Sequence, residues 1–337
     1  MSQVSYRYSY LGPRGTFTEA AVRILAGAEP AAGGPAIGGP AAAEPDALAC
    51  GSIQAALDAV RSGQAQLGVV PIESSVEGAV TATLDELAVG TELVISAEVL
   101  VPVEFALLAR PGTRLAGIRR VGGHPVAQPQ CRNWLAANLP GADWLPAASN
   151  SDAARQVQEG ALDAALAGVF AAELYGLVPL ATGVHDRDDA VTRFVAVRLP
   201  GQLPGPSGSD KTSVVAFLMD DHPGALMDIL GQFAFRGVNL TRIESRPTGD
   251  GIGRYCFFID CEGHVAQARV GEALMGLRRV CSTVRFLGSY PQATLAVPGR
   301  TGPGRTGPER AVQQDDKSDE EFIEAADWLA RIRSGQV

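Results

Sequence analysis

The stretch Tyr8–Ala21, YSYLGPRGTFTEAA, decides the fold class of the first part of the chain. Its first four residues predict a β-strand over Tyr8–Leu11. Glycine and proline at positions 12–15 break that strand. Thr16 with Glu19 then has the spacing of a capping box, which predicts that a helix begins there. The stretch is therefore a strand–turn–helix unit.

The same alternation repeats outward from this stretch to about residue 200. Helices are predicted between the strands, the second of them capped by Ser52. Strands that alternate with helices favour mostly parallel α/β sheets. The further predicted strands are Leu67–Ile72, Leu93–Leu108 with an interruption at Pro102, Ile118–Val121, Trp144–Ala147, Ala164–Val169 and Val191–Leu199.

Small and polar residues stand at four points where a predicted strand passes into a predicted helix. In open α/β folds such points lie at the sheet edge that binds ligands. The free N–H groups and the dipole of a helix N-terminus favour an anion there. Ordinary N-capping explains any one of the four, whereas their joint occurrence favours an anion-binding pocket. The points are Thr16 with Thr18, Ser74 with Ser75 (where Glu77 completes a second capping box), Gly122 with Gly123, and Ser149 with Ser151.

Residues 201–210, GQLPGPSGSD, predict a linker because they are rich in glycine, proline and serine. Residues 211–290 then form a second periodic zone. Its order of elements, βαββαβ, is that of the ferredoxin-like fold, a small α+β module. The predicted elements are strand Thr212–Met219, a helix that Asp220–Pro223 opens and Gly237 ends, strands Val238–Arg246 and Arg254–Cys261, helix Val265–Arg279 and strand Thr283–Gly288.

Two other segments have little to bury. Residues 27–47 are rich in alanine, glycine and proline, and we expect a long surface loop. Residues 291–337 begin with a tandem GRTGP repeat at 299–308, and we expect this tail to be largely disordered. A short helix is predicted near 319–333, where apolar residues recur at helical spacing.

Composition excludes several classes of protein. The 337 residues suggest about two domains, and 46% of them are hydrophobic, enough for a sizeable core. A net charge of −9 argues against a nucleic-acid partner, although one local pocket could still bind an anion. No apolar run approaches the roughly 20 residues that span a bilayer. We therefore expect a cytoplasmic protein with no membrane or nucleic-acid partner.

Motif tests point away from bound metals and nucleotides. The five cysteines are scattered without CxxC spacing, so neither a disulfide framework nor a zinc site is predicted. Gly12-x-x-Gly15 is neither a P-loop nor a dinucleotide fingerprint, and no GxSxG elbow is present. The acidic run His185–Asp189 is interpreted as a solvated loop rather than a metal site. We expect no metal and no cofactor.

Six motifs, in order along residues 8–290, resemble the prephenate dehydratases with their fused ACT regulatory domain. Glu-Ser-Arg-Pro following Asn-Leu is the most specific of them. The motifs are Gly12-Pro13-x-Gly15-Thr16-Phe17-Thr18; Val70-Pro71-Ile72-Glu73-Ser74-Ser75-x-x-Gly78; His124-Pro125 with Gln130-Cys131; Thr192-Arg193-Phe194; Gly224-Ala225-Leu226; and Asn239-Leu240-Thr241-Arg242-Ile243-Glu244-Ser245-Arg246-Pro247.

The resemblance implies an α/β catalytic domain like a type 2 periplasmic-binding protein, with two lobes joined by crossing strands and a site in the cleft. It further implies a ferredoxin-like βαββαβ ACT domain and, without a chorismate mutase helix, a monofunctional enzyme. The implied ranges are 1–200 for the catalytic domain, with lobes at about 1–85 plus 178–200 and at 105–175, crossovers at 93–108 and 178–199, and 211–290 for the ACT domain.

The implied reaction removes CO2 and water from prephenate to give phenylpyruvate, and aromatisation drives it without a cofactor. The protein must hold a dianion and help a hydroxyl leave. The implied catalytic residues are Thr192, which would donate a hydrogen bond to the departing oxygen, Arg193, which would bind a carboxylate bidentately, Glu73 and Ser75. The implied substrate-binding residues are Thr16, Phe17, Thr18, Ser74, Ser151 and Phe194.

The ACT resemblance implies an allosteric phenylalanine site at a subunit interface, and hence a homodimer or homotetramer. Asn239 and the Gly224–Leu226 turn of one subunit would face Glu244 and Ser245 of another. An arogenate dehydratase and a non-catalytic amino-acid-sensing protein are alternatives, while a transcription regulator is disfavoured because no helix-turn-helix is present. The full implied set is Gly224, Ala225, Leu226, Asn239, Leu240, Glu244 and Ser245.

Overall fold

The computed structural model describes residues 6–27, 44–249, 254–294 and 319–334. The GRTGP repeat and residues 28–43 of the predicted 27–47 loop lie outside these residues. The chain divides into two compact units, Met1–Thr83 with Val99–Ala196 and Leu84–Glu98 with Val197–Val337. Across the part of the chain that is described, no helix is both long enough and apolar enough to cross a bilayer.

The first sheet has the strand order β2-β1-β3-β11-β5, with β4 paired to β3, and β1 runs parallel to both of its neighbours. Ser52 caps its second helix as predicted, because its hydroxyl accepts from the Ala55 N–H at 3.0 Å. The elements are β1 (Tyr8–Leu11), α1 (Phe17–Gly27), β2 (Ala47–Cys50), α2 (Ile53–Arg61), β3 (Leu67–Ser74), β4 (Gly78–Ala79), α3 (Thr81–Val89), β5 (Val94–Pro102) and β11 (Val191–Arg198).

The second sheet has the order β10-β6-β9-β7-β8, in which β7 is parallel to β8 and β9. Buried alanine and leucine side chains fill the cores on its two faces, and its central β9 is fully buried. The elements are β6 (Ala106–Ala109), a 3₁₀ turn (Leu115–Gly117), β7 (Arg120–Gly123), α4 (Ala127–Gln130), α5 (Arg132–Asn138), β8 (Asp143–Pro146), α6 (Asn150–Gln158), β9 (Ala164–Ala167), α7 (Phe170–Leu174) and β10 (Val178–Thr182).

The third sheet has the antiparallel order β13-β14-β12-β15. Two helices pack on one face of it around Val214, Ile229, Phe233, Ile259 and Leu277, which confirms the βαββαβ fold. The elements are β12 (Asp210–Leu218), α8 (Ala225–Ala234), β13 (Leu240–Pro247), β14 (Tyr255–Glu262), α9 (Ala268–Val280), β15 (Cys281–Pro291) and α10 (Asp319–Arg333), the last at the position of the predicted terminal helix.

Three expectations about the first 200 residues were wrong, and one strand was missed. The strand at Leu93–Leu108 is two strands in two different sheets, because the chain crosses between them after Pro102. Residues 178–182 belong to the second sheet rather than the first lobe, since β10 pairs with β6. Ser74 caps no helix: its hydroxyl accepts from the N–H groups of Val76 and Glu77 at 3.3 Å in a turn into β4. Strand β2 was missed, because ALAC has little β propensity.

Candidate active site

A cleft of about 700 Å³ lies at the edge where β1 and β2 of the first sheet and β7, β8 and β9 of the second sheet end. Because the carboxyl ends of parallel strands meet at one edge, this is where an open α/β fold binds ligands. Both sheets contribute to its walls. The lining includes Gly12, Thr16, Phe17, Thr18, Cys50, His124, Ser149, Asn150, Asp152 and Gly168.

The N-terminus of α1 forms one wall and brings the predicted residues Thr16, Phe17 and Thr18 to the cleft. The Thr16 hydroxyl accepts from the Glu19 N–H at 3.3 Å and donates to the Pro13 carbonyl at 3.1 Å, so it stabilises the turn. The Glu19 carboxylate accepts from the N–H of Gly15, one residue earlier than a capping box requires. The N–H groups of Phe17 and Thr18, which precede Glu19 in the first turn of α1, have no partner within the helix and are left to bind an anion.

The N-terminus of α6 forms the facing wall. The Ser149 hydroxyl caps this helix by accepting from the Asp152 N–H at 2.9 Å, as its sequence predicts. The Asn150 amide oxygen accepts from the N–H of His124 at 2.8 Å and fixes the turn after β7. Two helix N-termini thus line one cleft, and their dipoles both favour a negatively charged ligand.

Ser151 is fully buried and bridges the two lobes instead of lining the cleft. Its hydroxyl donates to the Arg14 carbonyl in the β1–α1 turn and lies 3.0 Å from the Tyr175 hydroxyl. Gly15 beside it has φ = +76°, and a Cβ there would lie 2.8 Å from the Ser151 Oγ. The lobes therefore touch at a point where only glycine fits.

Phe17 likewise joins the two lobes. Its ring makes edge-to-face contacts with Phe105 at 5.8 Å and with Phe170 at 5.2 Å between centroids. Phe105 follows the crossover from the first sheet, and Phe170 begins α7 on the second. Phe17 therefore both lines the cleft and holds the lobes together.

A second cluster joins Thr192, Arg193, Glu73 and Ser75, none of which lines the cleft. The Ser75 N–H donates to the Val191 carbonyl, and the Val191 N–H donates to the Ser75 hydroxyl, both at 2.9 Å. These bonds hold the end of β3 against the start of β11. Strand β3 lies between β1 and β11 and runs parallel to β1, so the cluster stands at the same edge of the sheet as the cleft, two strand positions from β1.

Within this cluster, successive side chains of β11 point to opposite faces of the sheet. Thr192 is half-buried and shares a face with Phe194, which is only 2% exposed and belongs to the core. Arg193 is buried on the other face, with its Nη1 3.6 Å from the Glu73 Oε2. Within the described ranges, the Thr192 hydroxyl has no hydrogen-bond partner and is available to a ligand.

Sequence reasoning named His124 only within a family motif and gave it no role in the site, although Gly-Gly-His-Pro at the end of β7 places it at the sheet edge. His124 lines the cleft. Its Nδ1 accepts from the Val126 N–H at 3.4 Å. A neutral ring with Nδ1 as acceptor carries its proton on Nε2, which makes that nitrogen a donor.

Cys50 is a second lining residue that sequence reasoning did not select, and it is the one half-buried cysteine of the five; the other four are buried. Burial raises the pKa of its thiol above the ordinary value. A thiol is not a nucleophile until it ionises, so Cys50 is poorly suited to covalent catalysis at neutral pH.

The predicted effector residues of the third sheet do not all converge within one chain. Gly224, Ala225 and Leu226 begin α8, at the sheet end where β12 finishes, whereas Asn239 precedes β13 at the opposite end. Eight strand residues at about 3.3 Å each place Asn239 roughly 26 Å from that end. Asn239 and Gly224 of the same subunit therefore cannot contact the same small ligand, which corrects the expected grouping.

Glu244 and Ser245 lie near the end of β13 and point to opposite faces of the sheet. Glu244 pairs with Phe258, on the face away from α8 and α9. Ser245 pairs with Phe257, which packs in the core beneath the helices.

Comparison with known proteins finds two matching family models, described as prephenate dehydratase over residues 8–201 and ACT domain over residues 213–279. The prephenate dehydratase of Mycobacterium tuberculosis strain H37Rv is 45% identical over 335 residues, 98% of this chain and 95% of its own length. A crystal structure of a prephenate dehydratase from Arthrobacter aurescens in complex with L-Phe has 45% identity and a TM-score of 0.81, over 97% of this chain and 99% of that one. A structure described as a novel type of quorum quenching acylase has 31% identity and a TM-score of 0.71, over 84% and 97%.

Proposed function

The chain belongs to the prephenate dehydratase family, and on that premise we propose how its residues convert prephenate to phenylpyruvate, CO2 and water. The ring carboxylate leaves as CO2, and its bonding electrons enter the ring. The ring hydroxyl departs as water with a proton taken up from solvent, and the ring becomes aromatic. The protein must therefore bind two carboxylates and donate to one departing oxygen.

The observation that carries the proposal is the pair of helix N-termini facing one cleft, with the Thr192 hydroxyl at the same sheet edge. The first-turn N–H groups of α1 and α6 bind the substrate carboxylates, since helix N-termini favour anions. Because the two helices rise from different lobes, a dianion between them also draws the lobes together.

Thr192 donates a hydrogen bond to the departing hydroxyl oxygen. Its hydroxyl is a weak acid, so the contribution comes from a bond that strengthens as negative charge develops on that oxygen. The position supports this role. Ala190 ends the segment that returns from the second sheet to the first, and Thr192 follows it by two residues, near the start of β11.

Arg193 is a positioning residue in this proposal rather than the predicted carboxylate clamp, and Glu73 is its positioning partner. Arg193 is buried with Glu73 on the sheet face opposite Thr192, and the two lie within ion-pair distance. Together with the Ser75–Val191 hydrogen bonds, this pair holds Thr192 against the end of β3.

His124 supplies a second donor through Nε2–H on the cleft wall. The Asn150 amide oxygen at the start of α6 accepts from the His124 backbone N–H at 2.8 Å and fixes the residue on that wall. We assign it to a substrate carboxylate or carbonyl oxygen.

Phenylalanine is the effector of the ACT domain, as the L-Phe complex of the Arthrobacter aurescens relative supports. Because Gly224 and Asn239 lie at opposite ends of one sheet, a second copy of the chain is needed to bring such groups together. We therefore propose that the chain forms a homodimer or homotetramer through its ACT domains. We also propose that it acts in the cytoplasm.

The test is ultraviolet detection of phenylpyruvate from prephenate by the full chain, with arogenate as the competing substrate and isothermal calorimetry with phenylalanine. We expect kcat/KM to favour prephenate and phenylalanine to bind. A preference for arogenate would replace the substrate while leaving the chemistry intact, and no turnover of either would contradict the proposal. Preference for an acyl substrate would instead favour the activity described for the 31% identical relative.

A further inference from the structure

Two arginines of the third sheet, which belongs to the ACT domain, bind helix α3. This helix follows the predicted catalytic residues Glu73 and Ser75 in the chain. Arg246 on β13 forms a bidentate ion pair with Asp85 on α3, with nitrogen–oxygen distances of 2.9–3.1 Å. Arg285 on β15 donates to the carbonyls of Leu87, at 3.1 Å, and of Ala88 and Gly90, where α3 ends. An arginine at this position stabilises a helix by satisfying its last carbonyls and complementing its dipole.

Both arginines project from the face of the sheet that α8 and α9 do not cover. Val284 and Phe286, which flank Arg285, pack toward the helices, so Arg285 points away from them. Arg246 pairs with Cys256 and Glu244 pairs with Phe258 on that same face. On this face of the sheet, Arg246 is therefore the next side chain along β13 after the predicted effector residue Glu244.

At its other end, α3 is joined to the segment that carries Glu73. The Thr83 hydroxyl donates to the Pro71 carbonyl at 2.6 Å, and the Val80 N–H donates to the Ile72 carbonyl at 3.0 Å. These acceptors immediately precede Glu73, which in turn lies against Arg193. Short, direct hydrogen bonds therefore join the start of α3 to the end of β3.

We propose that α3 is the element through which phenylalanine at β13 controls the catalytic segment, with Asp85, Arg246 and Arg285 as positioning residues. This inference rests on the proposed function, because it assigns the route of regulation from β13, which carries Glu244 and Ser245, to the cluster around Thr192. A ligand that shifts β13 displaces Arg246, and the ion pair with Asp85 then displaces α3. The helix transmits this displacement to Pro71–Glu73. Coupling of this kind typically changes a binding constant about 5–150-fold.

The test compares kcat/KM for prephenate with and without saturating phenylalanine in the full-length wild type and in Asp85→Asn. Asp85 touches neither proposed site, so basal kcat/KM and the calorimetric Kd for phenylalanine are expected to stay within about threefold of wild type. The ratio of kcat/KM with and without phenylalanine is expected to collapse to within about twofold of unity. Hydrogen exchange of α3 amides should respond to phenylalanine in wild type only.

Asp58→Asn is the matched control, because Asp58 is also a helical aspartate paired with an arginine, and its side chain is 54% exposed against 52% for Asp85. This variant should keep the full effect of phenylalanine. An unchanged effect in Asp85→Asn with phenylalanine still bound would overturn the proposal and leave the catalytic assignment intact. A wild type that binds phenylalanine without any change in turnover would overturn it as well, whereas loss of prephenate turnover in the wild type would refute the proposed function itself.

Discussion

The Val103 N–H donates to the Ala190 carbonyl at 2.8 Å, so the two segments that connect the first and second sheets are hydrogen-bonded to each other. Phe105 and Val184 extend the contact, since the Val184 N–H donates to the Phe105 carbonyl at 3.0 Å. Thr192 follows this junction by two residues. A hydroxyl that must meet a substrate held between two lobes is best placed beside the hinge, where lobe movement displaces it least.

Replacing the Thr192 hydroxyl tests its role as donor. Thr192→Val keeps the shape of the side chain and removes the hydrogen bond, so kcat should fall about 10²–10³-fold while KM changes little. Thr192→Ser should stay within about tenfold of wild type. Thr182→Val on β10 provides the control for loss of a strand threonine hydroxyl. Steady-state kinetics with prephenate decide the matter, and a kcat of Thr192→Val near that of wild type would remove Thr192 from the reaction.

Gly15→Ala tests the contact between the lobes. Gly15 and Gly63 share φ = +76°, but a Cβ at Gly15 would lie 2.8 Å from the Ser151 Oγ, while one at Gly63 meets nothing within 4 Å. Both alanine variants should lose about 1–2 kcal/mol of stability from the left-handed backbone. Only Gly15→Ala should also raise KM for prephenate, because the lobes cannot approach. Equal KM values in the two variants would show that this contact does not shape the cleft.

The sequence predicted the elements with strong local signals and missed what depends on pairing across the chain. The Ser52 and Ser149 caps were correct because a hydroxyl three residues before an N–H is a local arrangement. Ser74 has the same spacing but stands before a turn into β4, because β3 pairs with that short strand instead of leading into a helix. Strand β2 carries no propensity signal and exists because β1 offers it a parallel edge.

The candidate site shows the same division. Thr16, Phe17 and Thr18 were predicted at the cleft and line it, because a strand end and a helix start fix their place. Ser151 and Phe194 are buried, since lobe contact and core packing depend on the tertiary fold. Strand alternation, which separates Thr192 from Arg193, was readable from the sequence but became decisive only once β11 was known to lie between β3 and β5, with neighbours on both sides.

Cys50 should be dispensable for the reaction although it lines the cleft. Burial raises the pKa of its thiol, so the thiol stays protonated at neutral pH and should react slowly with iodoacetamide. Cys50→Ala should leave kcat/KM for prephenate within about threefold of wild type. The reaction rate with iodoacetamide should rise only as pH climbs above the ordinary range for a cysteine. Loss of activity in Cys50→Ala, or alkylation that is fast at pH 7, would reopen a covalent mechanism.

The buried pair between Lys211 and Glu98 should make the second compact unit sensitive to the loss of either charge. The Lys211 Nζ lies 3.0 Å from both carboxylate oxygens, and the Glu98 side chain is 1% exposed. Removing one partner of a buried ion pair leaves the other charge uncompensated, which typically costs about 3–5 kcal/mol. Glu98→Gln should therefore lower the urea midpoint strongly, whereas Glu98→Gln combined with Lys211→Met should recover much of the loss because no charge remains buried. A double variant as unstable as the single one would show that shape, and not the stranded ammonium group, accounts for the cost.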